Sequence, residues 1–496
     1  MRQLRQLLGS KWTLVGVILW LLGVYLLYRF ISSDPEVLIA EAGVGEMPTP
    51  TTVYRRHSDV TFVYAVGGND SNHAAHRGSK LARRDKYRQL RHCSGDGAEF
   101  VSLTPSLDVY AVYWDPRRND FDNVFGTHVY LRIVAAWTPP VWFKSSEDLR
   151  SQVHCLFAGD ANAPVDVQAS YHKLHFELGD IHGGYIFSCL VPPPIYGLNR
   201  LKQPCRVLLY AAGRSPVAIK IINTVPFFQQ RDFTVCTLPL YGDILDGQIV
   251  EFMEFSRYLG ASHVMFYDDD LSPEARSVLN YYVRIKQATV LPWRRGTKDI
   301  LEAVLPKYKH NQPPLLAITD CLYRNMALSR YVMFVDLSEF VVPYARINWY
   351  DMLSRLGTDD TCAFRVSGVF FDPHLQGRLL EESASQLPTL MHTWRTRRSS
   401  QQQSRCIIKP LWIFEAGLVE VRKPLLRRYV TGTVDYPVAL VHHHRACQAD
   451  SDVDCVDLVR DDVVSKRYFH ELHARVAQKL QHFAKFAQRY VRGDLK

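Results

Sequence analysis

The sequence predicts an α/β fold. It consists of a parallel Rossmann-type sheet, preceded by a smaller β-rich domain and an N-terminal transmembrane helix. Three observations point there. From Arg231 onward, strand-like and helix-like segments alternate at the spacing of a parallel sheet with right-handed crossovers. Before that point, short β-branched or aromatic runs stand between turn residues without helical periodicity. Near the amino terminus, Trp12 to Tyr28 is apolar except for Thr13, and Phe30 and Ile31 extend the run. About 20 apolar residues cross a bilayer as a helix.

The apolar run at 12–31 follows Arg2, Arg5 and Lys11 and precedes Ser32, Ser33, Asp34 and Glu36. The excess of basic residues on the amino-terminal side puts a cytosolic tail at 1–11 and the rest of the chain in the lumen. A cleaved signal peptide is the competing reading; Ala40 and Ala42 follow the run but form no strong cleavage site. Residues 32–58, rich in Pro, Gly, Glu and Thr, read as a stem. Ten cysteines, none in a Cys-x-x-Cys pair, suit disulfides in an oxidising lumen better than a zinc cluster. Asn69-Asp70-Ser71 is a glycosylation sequon.

Composition narrows the class further. Of 496 residues 47% are hydrophobic, so the chain is globular. Residues 1–33 carry four basic side chains and no acid, leaving +5 of the formal +9 for the remainder. That charge is spread out and fits no nucleic-acid motif. It suits an acidic small ligand such as a nucleotide sugar.

The β-rich domain is placed at 59–228, with strands expected at Thr61 to Val66, Leu107 to Trp114 and His128 to Ala136. The α/β domain is placed at 229–455. Its first strand, Phe233 to Pro239, ends at Tyr241-Gly242-Asp243. The helix from Gly247 to Leu259 carries Ile249, Phe252, Met253 and Ser256 on one face. A strand from His263 to Tyr267 ends in three aspartates. A helix from Pro273 to Val283 is capped by Ser272. Ala288 to Trp293 is a strand, Leu315 to Ser329 a helix and Tyr331 to Val335 a strand. Residues 396–405, rich in Arg, Ser and Gln, read as a mobile loop. In the last segment, 456–496, Leu472, Val476, Leu480, Phe483 and Tyr490 keep helical spacing. That helix packs on the core or lies on a membrane surface.

Three strand ends carry candidate ligands, on the edge where such sheets bind them. Asp336 and Glu339 interrupt the apolar run from Tyr331 to Pro343, and an unpaired buried carboxylate is costly. A divalent cation and its phosphates are their natural guests. Asp268 and Asp270, two apart on an extended chain, either reach one cation or cap the next helix. His442-His443-His444-Arg445 follows the apolar Val438 to Val441. It offers imidazole ligands and a phosphate-binding guanidinium, or it is a solvated strand end.

These segments resemble glycosyltransferase family 92. The resemblance runs in order through Cys236-Thr237-Leu238-Pro239-Leu240-Tyr241-Gly242-Asp243, Leu259 to Asp268, Leu291-Pro292-Trp293, Asp320 to Arg324, Phe334 to Pro343, Lys409-Pro410 and Val441 to Arg445. It implies a GT-A-like nucleotide-sugar-binding domain, UDP-galactose as donor, Mn²⁺ as cofactor and inversion at the anomeric carbon. It implies donor contacts from Tyr241, Asp243, Asp268, Asp336 and Arg445, and metal contacts from Asp336, Glu339, His442 and His443. Where the family pattern reads Asp-x-Asp-Glu, this chain has Asp336-Leu337-Ser338-Glu339. A serine hydroxyl is a poorer Mn²⁺ ligand than a carboxylate. A carboxylate base is needed for the acceptor hydroxyl; Asp372 and Glu415, each after an apolar run, are the candidates. Asp320 is read as the structural partner of Arg324.

The sequence therefore predicts a single-pass type II Golgi galactosyltransferase acting on a glycan of a glycoprotein or glycolipid. It would touch the membrane through residues 12–31 and bind no nucleic acid. Two alternatives remain open at this stage: a lumenal pseudo-glycosyltransferase that binds without transfer, and a transferase in which His and Arg replace the cation.

Overall fold

The computed structural model describes residues 98–117, 119, 128–137, 153–157, 164–175, 183–193, 204–211, 213–222, 231–293, 314–357, 359–376, 387–447 and 452–491. The expected anchor at 12–31, the stem, the strand at 61–66 and the Asn69 sequon lie outside them. Among the described residues no helix is long and apolar enough to cross a membrane.

Nine strands build the first sheet: β1 (Val101–Thr104), β2 (Leu107–Asp115), β3 (Tyr130–Trp137), β4 (Val153–Phe157), β5 (Val165–Gln168), β6 (Ser170–Lys173), β7 (Gly183–Leu190), β8 (Arg206–Ala211) and β9 (Val217–Ile222). Their order is β5-β4-β8-β9-β2-β3-β7-β6, with β1 beside β2. All pairings are antiparallel except β2 with β9. A Cys155–Cys189 disulfide joins β4 to β7.

The second sheet begins with β10 (Arg231–Gly242), β11 (His263–Leu271), β12 (Ala288–Pro292) and β13 (Ser329–Val335), all parallel in the order β12-β11-β10-β13. Helices α1 (Asp246–Leu259), α2 (Pro273–Arg284) and α3 (Pro314–Asn325) make the crossovers. The predicted alternation is present, but β10 and β11 run further than their apolar cores because pairing continues to Gly242 and Leu271. The Ser272 hydroxyl accepts from the Ala275 N–H and caps α2 as expected. Apolar positions of α1 pack under β10, β11 and β13, with Ile249, Phe252, Met253 and Phe255 fully buried.

The sheet then continues through β14 (Glu339–Pro343), β15 (Thr361–Phe370), β17 (Ser400–Ile408) and β21 (Ala439–His443), giving β13-β17-β15-β21-β14, with β20 (Val430–Val434) beside β15. Short elements link these: α4 (Trp349–Leu353), α5 (Pro373–Gln376), α6 (Pro388–Met391), β16 (Trp394–Thr396), β18 (Ile413–Ala416), β19 (Val421–Pro424) and β22 (Leu458–Arg460). The terminal helix α7 (Val463–Val491) lays Tyr468, Leu472 and Val476 against the α1 side of the core. That is the core-packed alternative of the two sequence readings.

One expectation fails here. Residues 396–405 are not a loop: most of them belong to β16 and β17. Ser404 and Arg405 are buried while Gln401 and Gln402 face out. A guanidinium with a buried carboxylate partner can enter a sheet that its composition alone argues against.

Connection length shapes this half of the molecule. Only Asp336, Leu337 and Ser338 separate β13 from β14, yet β17, β15 and β21 lie between the two strands in the sheet. Four strand gaps in a flat sheet span about 19 Å. Four residue steps reach at most about 14 Å. The sheet must curl until β14 and β21 return beside the end of β13.

The two sheets pack through α3. Tyr110 and Tyr113 of β2 join Tyr267, Trp293, Leu316 and Tyr323 in one apolar cluster. Gly184 of β7 permits the approach, since a Cβ there would stand 3.1 Å from Leu316. Asp320 on α3 is fully buried. It accepts from Arg324 Nη2 at 2.9 Å, from the Tyr267 hydroxyl at 2.8 Å and from the Tyr113 hydroxyl. The predicted Asp320–Arg324 pair is thus part of a larger network that holds the first sheet to the second.

Candidate active site

Strand direction decides which candidates meet. Since β10, β11 and β13 are parallel, Tyr241, Asp243, Asp268 and Asp336 share the edge at their carboxyl ends. β17 is antiparallel to β13, and β15 antiparallel to β17, so β15 runs with β13 and delivers Asp372 to the same edge. β21 is parallel to β15 and brings His442 and His443, then His444 and Arg445.

Glu415 does not join them. β17 leaves the sheet toward the amino end of β13, and Phe414 accepts from the Tyr323 hydroxyl near the carboxyl end of α3. Glu415 therefore sits at the opposite end of the sheet, fully buried against His172 and His175 of the first sheet. The expected base role for Glu415 in the same site as Asp336 has no geometric support.

The acidic turn alternates. Asp336 and Ser338 are half-buried, whereas Leu337 and Glu339 point inward. Glu339 is saturated there. Its Oε2 accepts from the Asp336 N–H at 3.0 Å and from Arg405 Nε at 2.7 Å; its Oε1 accepts from Arg405 Nη2 at 2.5 Å and faces His443 Nδ1 at 3.0 Å. Burial alone raises the Glu339 carboxyl, but Arg405 and His443 outweigh it and hold it well below the usual range. His443 is fully buried between that carboxylate and the Gln403 carbonyl, 2.8 Å from Nε2. Burial holds the His443 ring below the ordinary imidazole value, and Glu339 offsets only part of that. Gly368 makes room: a Cβ there would lie 2.4 Å from the Gln403 carbonyl and 2.5 Å from His443 Nε2.

The expected metal set therefore does not assemble. Glu339 and His443 spend their ligand atoms on each other, on Arg405 and on Gln403. His442 projects to the other side of β21 from His443. Its Nε2 lies 2.9 Å from the Tyr344 hydroxyl, which donates to Asp461; Asp461 in turn pairs with Arg395 at 2.6 Å. Its Nδ1 is buried with no hydrogen-bond partner among the described residues, as is Nε2 of His444. Burial first, then Arg395, holds the His442 ring well below the ordinary imidazole value, so it is neutral.

Asp336 remains on the open side with Ser338. Burial and then Glu339 raise its pKa, against the Leu337 N–H, Arg445 and Arg405. One carboxylate fits a divalent ion that arrives with a diphosphate, because such ions take their other ligands from phosphate and water. Arg445 reaches Gln403 Oε1 at 2.7 Å and lies 3.8 Å from Glu339.

The remaining acids are held differently. Asp268 is clamped by Arg276 of α2 through Nε at 2.6 Å and Nη2 at 3.0 Å, and it accepts from the Leu271 N–H. Asp270 takes a left-handed φ of 72°, 3.9 Å from the same arginine. These contacts tie the aspartates to Arg276 in the first turn of α2 instead of aiming two carboxylates at one cation, and the cap itself is Ser272. Tyr241 is half exposed, beside Gly242 at φ 75°. Asp372 accepts from the His374 and Cys447 N–H groups, both at 2.8 Å.

Sequence reasoning missed Arg405, Gln403, Tyr344, Arg395 and Asp461. Arg405 was hidden in a loop-like composition, and the others carry no spacing signal. His172-x-x-His175 was a readable signal.

An open sheet edge that gathers acids, imidazoles and an arginine at parallel strand ends is the place where open α/β sheets bind their ligands. The chain belongs to glycosyltransferase family 92, whose sequence model matches residues 231–490. It is a glycosyltransferase. It is 24% identical over 393 residues to beta-1,4-galactosyltransferase galt-1 of Caenorhabditis elegans, covering 76% of this chain and 81% of the relative. It is 26% identical over 138 residues to galactan beta-1,4-galactosyltransferase GALS2 of Arabidopsis thaliana, a quarter of each chain. Among solved structures, Mycobacterium tuberculosis glucosyl-3-phosphoglycerate synthase, crystallised with Mn²⁺, UDP and glucosyl-3-phosphoglycerate, is 13% identical, with 51% of this chain and 80% of that one covered. S. aureus TarS is 9% identical, with 43% and 60% covered. Their TM-scores, 0.23 and 0.24, decide nothing about ligand or mechanism.

Proposed function

We propose that this chain is a single-pass type II Golgi membrane enzyme with a GT-A-like domain at 229–455 and a β-rich lumenal domain at 59–228. It transfers galactose from UDP-galactose to a glycan on a glycoprotein or glycolipid, with inversion. The observation that carries the reading is the shared edge of Tyr241, Asp243, Asp268, Asp336 and Asp372 in a family 92 chain. Similarity to galt-1 supports galactose as the sugar, and disulfides support a lumenal body.

In this reading Tyr241, Asp243 and Asp268 position the nucleotide and Arg445 faces the diphosphate. Asp336 would hold a Mn²⁺ ion, which would supply Lewis-acid stabilisation of the leaving UDP. Asp372 takes the proton of the acceptor hydroxyl as its oxygen bonds to the anomeric carbon and the bond to the diphosphate breaks.

A second reading, in which cationic side chains replace the ion, is favoured by one observation. Glu339 and His443 are committed elsewhere, while Arg405 and Arg445 both act on Asp336. One assay separates the two: UDP release by the full chain from UDP-galactose and a glycan acceptor, with Mn²⁺ or with EDTA. Transfer abolished by EDTA and by Asp336→Asn supports the metal reading. Transfer indifferent to EDTA supports the arginine reading. No release from any UDP-sugar overturns both.

A further inference from the structure

The seam between the two sheets holds a second cluster of ligand-type side chains, at the far end of the sheet from Asp336. His172 on β6 and His175, two residues beyond it, face Glu415 on β18. His172 Nε2 lies 2.7 Å from Glu415 Oε2, and His175 Nδ1 lies 3.1 Å from the same oxygen. One ligand atom from each of the three residues falls within 4.8 Å of the others.

The carboxylate is fully buried, and an ionised group there needs strong compensation. The rings around it are graded in exposure: the His172 side chain is 23% exposed and that of His175 65%. The His172 ring is fixed edge-on against Phe414 at 5.2 Å, so its nitrogen is aimed by packing. The His175 N–H also donates to Glu415 Oε1 at 2.9 Å, which orients the carboxylate. Three converging ligands with one solvent-facing side match a four-coordinate zinc site with three protein ligands and a water. Two imidazoles and one carboxylate are also the donor set that suits zinc rather than calcium or magnesium.

We propose that His172, His175 and Glu415 form a zinc-class divalent metal site that ties the first sheet to the second. Because its ligands lie about 240 residues apart in the chain, binding there stabilises the packed pair of sheets over the separated ones. The inference is independent of the transfer reaction, since neither β6 nor β18 reaches the edge that carries Asp336.

The test measures metal directly. The full chain is purified, its zinc content is determined by mass spectrometry, and the chelated protein is titrated with zinc chloride while its melting temperature is followed. A single zinc per chain, an upward melting shift with zinc, and loss of both in His175→Ala and Glu415→Gln are expected, with zinc retained in Asp336→Asn. His175→Ala is informative even if Glu415→Gln fails to fold, because His175 is largely exposed. Absence of zinc binding in the wild-type chain overturns the proposal and leaves a hydrogen-bonded latch. So does zinc content unchanged in His175→Ala.

Discussion

Arg405 grips Glu339 through two hydrogen bonds, Nε at 2.7 Å and Nη2 at 2.5 Å, with both side chains almost wholly buried. The pair joins β17 to the start of β14 and brackets the Asp336 turn. Arg405→Ala leaves the Glu339 carboxylate inside without its main cation. We expect a loss of about 3–5 kcal/mol in urea unfolding, the usual result of breaking one side of a buried pair. A loss below about 1 kcal/mol would show that His443 alone suffices.

The same carboxyl sets an acid limit on stability. Its pKa is depressed in the folded state, so the unfolded chain takes up the proton at higher pH. Its contribution is complete above the ordinary glutamate value, about 4.3, and is lost as pH falls toward the lower folded value. Unfolding free energy measured from pH 7 to pH 3 is expected to fall less steeply in Glu339→Gln than in the parent. Equal slopes would remove Glu339 from the acid response.

Asp336 is the open-side carboxylate, and Asp336→Asn is expected to lower kcat for UDP-galactose by about 10²–10³, the scale of losing one positioned electrostatic group. Ser338→Asp adds a second carboxylate on the same side. If the site uses a cation, this variant bears more activity at low Mn²⁺ than the parent. A Mn²⁺ response unchanged in Ser338→Asp counts against a cation at this turn.

Of the two carboxylates expected as base, strand direction keeps Asp372 on the Asp336 edge, and the proposed function uses it there. Asp372→Asn is expected to cut kcat by about 10²–10⁴. Donor affinity should change little. A kcat equal to the parent's would assign the base elsewhere.

Gly368 lies where β15 passes His443 and Gln403. Gly368→Ala drives a Cβ into backbone and a buried ring. Overpacking of this kind costs about 1–3 kcal/mol, readable as a lower urea midpoint. A midpoint equal to the parent's would mean that β15 shifts freely.

The strand–helix alternation after Arg231 was legible because each element buries one face and carries its own period. Ser272 announced the α2 cap, and Asp320 with Arg324 announced an ion pair. What was not legible depended on strand direction. Asp372 and Glu415 look alike in sequence, each an acid after three apolar residues. Only the antiparallel course of β17 sends them to opposite ends of the sheet. Arg405 failed for a related reason, since a buried charge reads as a loop until its partner is known. The Asp336 turn stands out in the sequence, but its two acids sit in different surroundings. Glu339 faces in because side chains alternate, and that alternation was invisible until β14 was placed.

The short passage from β13 to β14 works as a drawstring. Three residues set how tightly half the sheet closes around its own edge, and those three residues include the carboxylate that the edge presents. Lengthening the passage by even two residues would slacken the closure and loosen Asp336 from Glu339 and Arg445 together. Shape and charge at this site are thus one variable, and an insertion there would change both at once.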